Sequence, residues 1–180
     1  MIRHVTIAIS AIALFASALL GGCAANTVAT PKIVVARAAL TAANGASAGE
    51  ARVVQHGTGL SLVVAASGLT PGHHGMHFHT TGKCEAPGFT TAGSHLNPLV
   101  RQHGTENPAS SHMGDLPNLT VGADGKAAVQ VPLGLAALGL AQALLDADGA
   151  AIIIHATADD YRTDPTGNSG GRIACGVFQR

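Results

Sequence analysis

The sequence is short of aromatic and of charged side chains. None of its 180 residues is tryptophan, aromatic residues make up 3% and charged residues 11%, against about 25% charged in an average domain. Ten Lys and Arg balance ten Asp and Glu, so no basic excess indicates a nucleic-acid partner and no acidic run indicates a disordered tail. The 23 glycines and many small aliphatic residues favour a β-rich domain with tight turns over a helical bundle. The ten histidines are the exception that needs an explanation.

Residues 1–22 have the pattern of an export signal. A basic start at Arg3 precedes an apolar run from about Val5 to Leu20, and the run ends in Leu20-Gly21-Gly22-Cys23. A short apolar region ending in small residues is typical of export, and this ending resembles the bacterial lipoprotein processing site. The resemblance implies cleavage before Cys23, a lipid on Cys23, and anchoring to the cell-envelope membrane, facing the periplasm or the exterior. An ordinary signal peptide or a single anchor helix is the alternative.

Export also determines how the other cysteines are interpreted. If Cys23 carries lipid, Cys84 and Cys175 remain as an even pair in an oxidising compartment, which predicts a disulfide between them. Two free buried thiols are the alternative. Residues 23–31 are small and polar and are interpreted as a tether, so 32–180 form one domain.

Short β-branched segments recur about every ten residues between turn signals, a pattern that indicates a β-sandwich or barrel. The predicted strands are 32–40, 50–55, 60–65, 77–79, 119–121, 127–131, 151–155 and 172–178. Residues 68–72 are predicted as a turn, and the apolar stretch 132–145 as a loop with a short helix that could pack against a partner subunit. Residues 80–118 have no apolar periodicity, and a loop of that length inside a compact domain implies a function.

The strongest local signal is Gly75-Met76-His77-Phe78-His79. Alternate side chains of a strand share one face, so His77 and His79 can reach a single metal ion while Phe78 points into the core. Further histidines follow in Ser94-His95-Leu96-Asn97-Pro98, Gln102-His103-Gly104, His112-Met113-Gly114-Asp115-Leu116 and Ile154-His155. His74 is expected to pack structurally, and His56 and His73 to be exposed.

This ordered series of motifs, closed by Asn168-Ser169-Gly170-Gly171-Arg172-Ile173-Ala174-Cys175-Gly176, resembles the copper/zinc superoxide dismutase family over essentially the whole mature domain. The resemblance implies an all-β fold, a Greek-key β-sandwich or flattened eight-stranded barrel with long metal-binding and active-site loops. It also implies a copper site formed by His77, His79, His95 and His155, and a zinc site formed by His95, His103, His112 and Asp115. Imidazole nitrogen suits copper(II), and zinc accepts three imidazoles and a carboxylate in a closed tetrahedral site.

The same resemblance assigns roles to other residues. His95 would bridge the two metals and take part in proton transfer, and Arg172 would attract and orient a small anion at the copper. Asp159 would link His77 to His103 by hydrogen bonds, with Asp160 as the near alternative. The implied function is dismutation of superoxide to dioxygen and hydrogen peroxide; the alternative is an exported copper- and zinc-binding carrier without catalysis. A monomer and a homodimer remain equally open.

One further motif remains outside these roles. Asn118-Leu119-Thr120 matches a glycosylation acceptor, but the bacterial lipoprotein signal argues against that use.

Overall fold

The computed structural model describes residues 32–107, 111–134 and 137–180. Within these ranges the chain forms nine β-strands, one α-helix and a short 3-10 turn at Thr90–Ala92. The strands are β1 (Lys32–Ala42), β2 (Ser47–His56), β3 (Gly59–Ala66), β4 (Gly72–His74), β5 (Met76–His79), β6 (Leu119–Val121), β7 (Ala127–Pro132), β8 (Ala151–His155) and β9 (Arg172–Val177), and the helix is α1 (Ala137–Leu144). The predicted signal (1–22), Cys23 and the tether (23–31) lie outside the described residues.

Most of the strands form one antiparallel sheet that curls toward a barrel. Seven of them pair in the order β5-β8-β9-β1-β2-β3-β7, and β4 pairs with β6 in a separate two-stranded sheet. The small sheet connects the two edges of the large one, because β4 leads into β5 through Gly75 alone and β6 leads into β7 through a five-residue turn. This arrangement confirms the predicted all-β fold class.

The core lies between alternating side chains of these strands. In β1, Ala36, Ala38 and Leu40 are buried while Arg37 and Ala39 face solvent, the period of two expected of a strand with one covered face. Small side chains occupy many core positions of β1 and β2, which lets the opposite walls approach closely. A second, smaller cluster lies on the other face of β8 and β9 and is formed by Phe89, Ala92, Ala151, Ile153 and Cys175.

Most predicted strands are found within a few residues of their expected bounds. The main difference is β4, since residues near 72 were predicted as a turn but pair with β6. The short helix predicted within 132–145 is α1. No helix in the described part of the chain is long and apolar enough to cross a membrane.

The histidines outside the predicted metal sites differ from one another. His74 is buried, with its ring nitrogens 2.7 Å from the carbonyl oxygen of His155 and 2.8 Å from that of Thr70, so its expected structural role is confirmed. His73 is exposed, as predicted. His56 was expected to be exposed but is half-buried, because its Nε2 lies 2.8 Å from Oγ of the buried Ser61.

Candidate metal centre

Two neighbouring strands carry three of the predicted ligands. His77 and His79 lie on β5, and His155 is the last residue of β8, which pairs with β5. All three side chains are buried. The outer side of β5 is covered by the long loop 80–118, since His77 forms an isolated bridge with Asp115 and His79 forms one with His95.

Two backbone hydrogen bonds join this loop to Phe78 of β5, and a third joins two parts of the loop to each other. Leu96 N donates to Phe78 O at 2.8 Å, Phe78 N to Gly114 O at 2.9 Å, and Gly114 N to Leu96 O at 2.8 Å. A Cβ atom at Gly114 would collide with the carbonyl oxygen of Phe78 and with Leu96, so glycine is required for this close approach. As a result, His95 and Asp115, the neighbours of Leu96 and Gly114, are held beside the histidines of β5.

Four histidines form the first compact group of potential ligands. Each ring offers one nitrogen, and the four nitrogens lie within 4.8 Å of one another; the residues are His77, His79, His95 and His155. The four nitrogens that form no hydrogen bond are His77 Nδ1, His79 Nε2, His95 Nε2 and His155 Nε2. Buried ring nitrogens without a partner are rare in folded proteins, and a shared copper ion accounts for all four.

The opposite nitrogens of three of these rings are held by acceptors. His77 Nε2 donates to Asp159 Oδ2 at 2.6 Å. His79 Nδ1 lies 2.9 Å from the carbonyl oxygen of Gly93, and His155 Nδ1 lies 3.1 Å from that of Gly170. Because these oxygens can only accept, the protons are fixed on this side of each ring and the lone pairs face the group.

Burial keeps three rings of the group, those of His79, His95 and His155, neutral near pH 7. Loss of hydration lowers the pKa of His79 to about 2, that of His155 to about 3 and that of His95 to about 4. A neutral imidazole has the free lone pair that a metal ion requires. These three rings are therefore ready to bind a cation without first losing protons.

The second group centres on one carboxylate oxygen. Asp115 Oδ1 lies 3.2 Å from His95 Nδ1, 3.0 Å from His103 Nδ1 and 3.2 Å from His112 Nδ1. A tetrahedral zinc ion with bonds of about 2.0–2.1 Å places its ligand atoms roughly 3.3 Å apart. His103 Nδ1 and His112 Nδ1 form no hydrogen bond, so these atoms point at a common centre and not at the carboxylate. The four residues therefore fit zinc.

When ligand atoms are grouped by distance alone, the second group contains His77 in place of His112. His77, His95, His103 and Asp115 have ligand atoms within 4.8 Å of one another, and His112 lies outside that limit. His77 is close because its ring stacks on that of His95 at 3.9 Å between centroids. Its Nε2 is already bonded to Asp159, while the unpartnered Nδ1 of His112 faces Asp115. The chemistry therefore favours His112.

Asp159 joins the two groups. Its Oδ2 accepts from His77 Nε2 at 2.6 Å and its Oδ1 lies 3.0 Å from His103 Nε2. Asp160, the alternative, is exposed and instead accepts hydrogen bonds from the backbone of Arg162 and Thr163. Asp159 is thus the carboxylate placed to orient a histidine of each site.

Charge is concentrated around His103. Burial alone would lower its pKa, but the two carboxylates in contact with its ring, Asp115 and Asp159, raise the pKa of His103 to about 9. Burial alone would raise the pKa of the Asp115 and Asp159 carboxyl groups. Their contacts with His103 outweigh this effect and hold both pKa values well below the usual range. Without a metal ion, His103 is therefore a buried cation between two anions at neutral pH.

Arg172 lies in the wall of an open cleft that leads to the first group. The cleft has a volume of about 440 Å³ and is lined by His79, Gly93, Ser94, His95, His155, Pro165, Thr166, Gly170 and Arg172. The guanidinium donates from Nη1 to Phe89 O and from Nη2 to Gly93 O, both at 2.6 Å. Burial lowers the pKa of Arg172 from its ordinary value, but a guanidinium remains charged in proteins.

The predicted disulfide between Cys84 and Cys175 is present. It ties the start of the loop to β9, and the smaller core cluster around Phe89 packs beneath it. Phe89 and Gly93, the two acceptors of Arg172, lie on the segment that follows Cys84. The disulfide therefore fixes the backbone that positions the guanidinium.

Several residues of the centre were missed by the sequence analysis. The carbonyl groups that orient His79, His112 and His155 belong to Gly93, Arg101 and Gly170. A backbone acceptor leaves no signal in side-chain identity. Asp164 Oδ1 accepts from His103 N, Asn118 Nδ2 donates to Asp159 O, and the Tyr161 hydroxyl accepts from Asn118 N. The sequence assigned none of these three residues a role at the centre.

The comparisons with known proteins agree with this geometry. The model of the copper/zinc superoxide dismutase family matches residues 47–178. Superoxide dismutase [Cu-Zn] of Caulobacter vibrioides is 42% identical over 148 residues, covering 80% of this chain and 85% of that protein. Superoxide dismutase-like protein YojM of Bacillus subtilis is 49% identical over 123 residues, covering 67% and 63%. The crystal structure of a SOD-like protein from Bacillus subtilis superposes with a TM-score of 0.72 at 42% identity, covering 78% of this chain and 96% of that one. The chain belongs to the copper/zinc superoxide dismutase family.

Proposed function

We propose that this protein catalyses the dismutation of superoxide to dioxygen and hydrogen peroxide at a copper ion that shares His95 with a structural zinc ion. The observation that carries the proposal is the environment of the His95 ring. Its Nδ1 lies 3.2 Å from Asp115 in the second group, whereas its Nε2 faces the first group without a hydrogen bond. One imidazole is therefore available to both metal sites.

A copper ion held by His77, His79, His95 and His155 would supply a one-electron couple, accepting an electron from one superoxide and giving one to the next. The chain's own residues provide positioning and protons. The ring of His95 lines the cleft, and its Nε2, which forms no hydrogen bond, is placed to hold a proton and pass it to the substrate. Zinc held by His95, His103, His112 and Asp115 would fix the ring's orientation.

Arg172 would recruit the substrate. Its fixed guanidinium is the cation that lines the cleft, and a cleft lined by positive charge raises the local concentration of a small anion. Two of its N–H groups are held by the carbonyls of Phe89 and Gly93. The planar fork is therefore presented in one orientation, with donors left over for superoxide.

The decisive experiment compares four preparations of the purified protein: metal-free, zinc only, copper only, and loaded with both. We expect rapid loss of superoxide, measured by its ultraviolet absorbance after pulsed generation, only in the preparations that contain copper, and most strongly with both metals. One copper and one zinc per chain without accelerated loss of superoxide would contradict the proposal.

The alternative is a metal carrier on the same fold. The similarity to a relative named only superoxide dismutase-like keeps this function in view. A carrier has no use for a charged side chain fixed in the cleft, and this chain has Arg172 beside a full set of four histidines. A carrier should also transfer copper readily to an acceptor chelator, whereas an enzyme should retain it through repeated turnover.

We further propose that the mature protein begins at Cys23 and is anchored to the cell envelope by lipid on that residue, facing the periplasm or the exterior. The Leu20-Gly21-Gly22-Cys23 sequence supports this proposal. Mass spectrometry of the N-terminal peptide from protein made in a diderm bacterium should find diacylglycerol on Cys23. The Cys23→Ala variant should lose the lipid and the membrane association. An N-terminus at another residue would point to an ordinary signal peptide.

A further inference from the structure

Tyr161 is the only tyrosine of the chain, and it contacts three segments that meet beside the second ligand group. Its backbone N–H donates to Asp159 Oδ1 at 2.7 Å. Its carbonyl oxygen accepts from Glu106 N at 3.2 Å. Its phenolic oxygen accepts from the backbone N–H of Asn118 at 2.7 Å. Backbone and side chain of one residue thus connect the loop of His103, the segment after Asp115 and the bridging carboxylate.

Asn118 holds the backbone of Asp159 from the other side. Its Nδ2 donates to Asp159 O at 2.9 Å, and its Oδ1 accepts from Asp159 N at 2.8 Å. This reciprocal pair binds the backbone N–H and C=O of Asp159 as a neighbouring strand would. The phenolic oxygen of Tyr161 fixes Asn118 in turn. Asn118 is therefore used in the described fold, although the sequence suggested it only as a glycosylation acceptor.

The backbone at Tyr161 has an uncommon conformation and packs closely against the loop of His103. Tyr161 has a φ of 63°, a left-handed conformation that is uncommon for residues other than glycine. Its carbonyl group packs against Gly104, where a Cβ atom would collide with it, and Gly104 itself has a φ of 102°. Gly104 follows the zinc-group residue His103, so the position of Tyr161 and the position of that histidine are mechanically linked.

Tyr161 also contacts the carboxylate of Asp159, which orients one histidine of each ligand group. Asp159 Oδ1 receives the Tyr161 N–H and lies 3.0 Å from His103 Nε2. Oδ2 receives His77 Nε2. A shift of the backbone at 159 would lengthen both histidine contacts together. Hydrogen-bonded partners behind a metal ligand typically change metal affinity by about 10- to 100-fold when they are removed.

We infer that Tyr161 is a positioning residue for zinc: through Asn118 its hydroxyl holds Asp159 in place, and Asp159 holds His103 in the orientation that binds the ion. The inference rests on the zinc site of the proposed function. It goes beyond that function by assigning a role to a side chain that touches neither metal group. The hydroxyl, and not only the aromatic ring, is required.

The test is the zinc affinity of Tyr161→Phe, measured by competition with a chromophoric zinc chelator on metal-free protein with its disulfide intact. Phenylalanine keeps the ring and the backbone contacts and removes only the acceptor for Asn118 N–H. We expect zinc to bind about three- to tenfold more weakly than to the wild type. Asn118→Asp keeps the acceptor for Asp159 N but places an oxygen against Asp159 O, so we expect a loss of about 10- to 100-fold.

Thr163→Val is the matched control. It removes two hydrogen bonds from the same loop, that of Thr163 Oγ1 to Asp160 Oδ2 at 2.6 Å and that of Asn168 Nδ2 to Thr163 Oγ1 at 3.2 Å. Neither bond is made to Asp159. Its zinc affinity should stay within twofold of the wild type. Circular dichroism and thermal unfolding check that each variant folds. Tyr161→Phe with wild-type affinity would overturn the inference, as would an equal loss in Thr163→Val.

The lone tyrosine also provides a direct signal, because a chain without tryptophan emits only from Tyr161. We expect zinc to change the emission intensity of the wild type and to saturate at one ion per chain. Asn118→Asp should reduce that change. No change in the wild type on saturation with zinc would contradict the coupling. Failure of the wild type to bind zinc at all would instead overturn the proposed function, so the two failures can be told apart.

Discussion

Nδ1 of His103 lies 3.0 Å from Oδ1 of Asp115 without forming a hydrogen bond to it. The two atoms have the spacing of two ligands on one tetrahedral ion. On its other side, His103 Nε2 contacts Asp159 at 3.0 Å. These two carboxylates stabilise the protonated ring in the metal-free protein, and zinc would have to displace the Nδ1 proton.

The first prediction is that zinc binding releases a proton near neutral pH. Burial opposes protonation, but the contacts with both carboxylates raise the pKa of His103 to about 9. The folded, metal-free protein therefore holds this proton up to about pH 9. Between pH 7 and 9 the apparent association constant for zinc should rise about tenfold per pH unit, because one proton leaves for each ion bound. Titration calorimetry in buffers of different ionisation enthalpy measures the released proton.

The matched variant is Asp159→Asn, which removes one of the two anions beside His103. In this variant the ring of His103 should lose its proton at lower pH. The number of protons released on zinc binding at pH 8 should therefore fall. Wild-type zinc binding at pH 8 that is independent of the buffer's ionisation enthalpy would refute the assignment of charge to His103.

The second prediction concerns Arg172. In Arg172→Ala, the rate constant for superoxide should fall about 10- to 100-fold, since clefts of focused charge raise association rates by about 10–1,000-fold. Copper and zinc content should not change, because among the described residues the guanidinium bonds to the carbonyls of Phe89 and Gly93 and to no side chain of the ligand set. The rate should also lose much of its dependence on ionic strength.

Arg172→Lys serves as the control for charge. It keeps a cation without the planar fork, so its rate should lie between those of the wild type and the alanine variant. A rate for Arg172→Ala equal to that of the wild type, at equal metal content, would remove Arg172 from the mechanism.

The third prediction is that the disulfide stabilises the fold. Cys84 and Cys175 are 91 residues apart, and closing a loop of that length is worth about 2–5 kcal/mol. The double variant Cys84→Ser/Cys175→Ser should lose free energy of unfolding in that range, measured by urea denaturation of the metal-free protein. It should also be less active, because the carbonyls that hold Arg172 lie on the released loop. A midpoint and slope equal to those of the wild type would contradict this account.

The fourth prediction is that Ser169→Ala does not destabilise the protein. Ser169 is fully buried, and its Oγ has no hydrogen-bond partner. A buried hydroxyl without a partner costs about 1–3 kcal/mol, so removing it should raise the free energy of unfolding by about 1 kcal/mol. Urea denaturation of metal-free wild type and variant at the same pH gives the difference. A loss of 1 kcal/mol or more would show that the hydroxyl has a stabilising contact.

The sequence predicts the parts of this protein whose signal is local. The β5 pair, His77 and His79, is recognisable because a strand places alternate residues on one face. The disulfide was predicted because two cysteines besides Cys23 remain in a chain that its N-terminal sequence predicts to be exported. The ligands in the long loop were assigned only through resemblance to a family, because nothing local indicates which loop histidines meet.

The rest depends on contacts between distant segments. The pairing of β4 with β6 was missed because Gly72 and its neighbours have the sequence of a turn. Their pairing partner, β6, lies far away in the sequence and is brought close only by the folded barrel. The choice of Asp159 over Asp160 depends on which carboxylate the loop turns inward. Asn118 bonds to Asp159, 41 residues further along the chain, and to Tyr161, 43 residues further along. No sequence pattern predicts contacts between residues so far apart.

The central claim is catalysis at a paired copper and zinc site, and counting products per copper tests it most directly. Protein carrying one copper and one zinc is given a large excess of superoxide, and hydrogen peroxide is measured when the superoxide has gone. The account predicts one peroxide for every two superoxide ions consumed, over hundreds of turnovers per copper and faster than the uncatalysed reaction. Consumption of a single superoxide per copper, followed by decay at the uncatalysed rate, would contradict it.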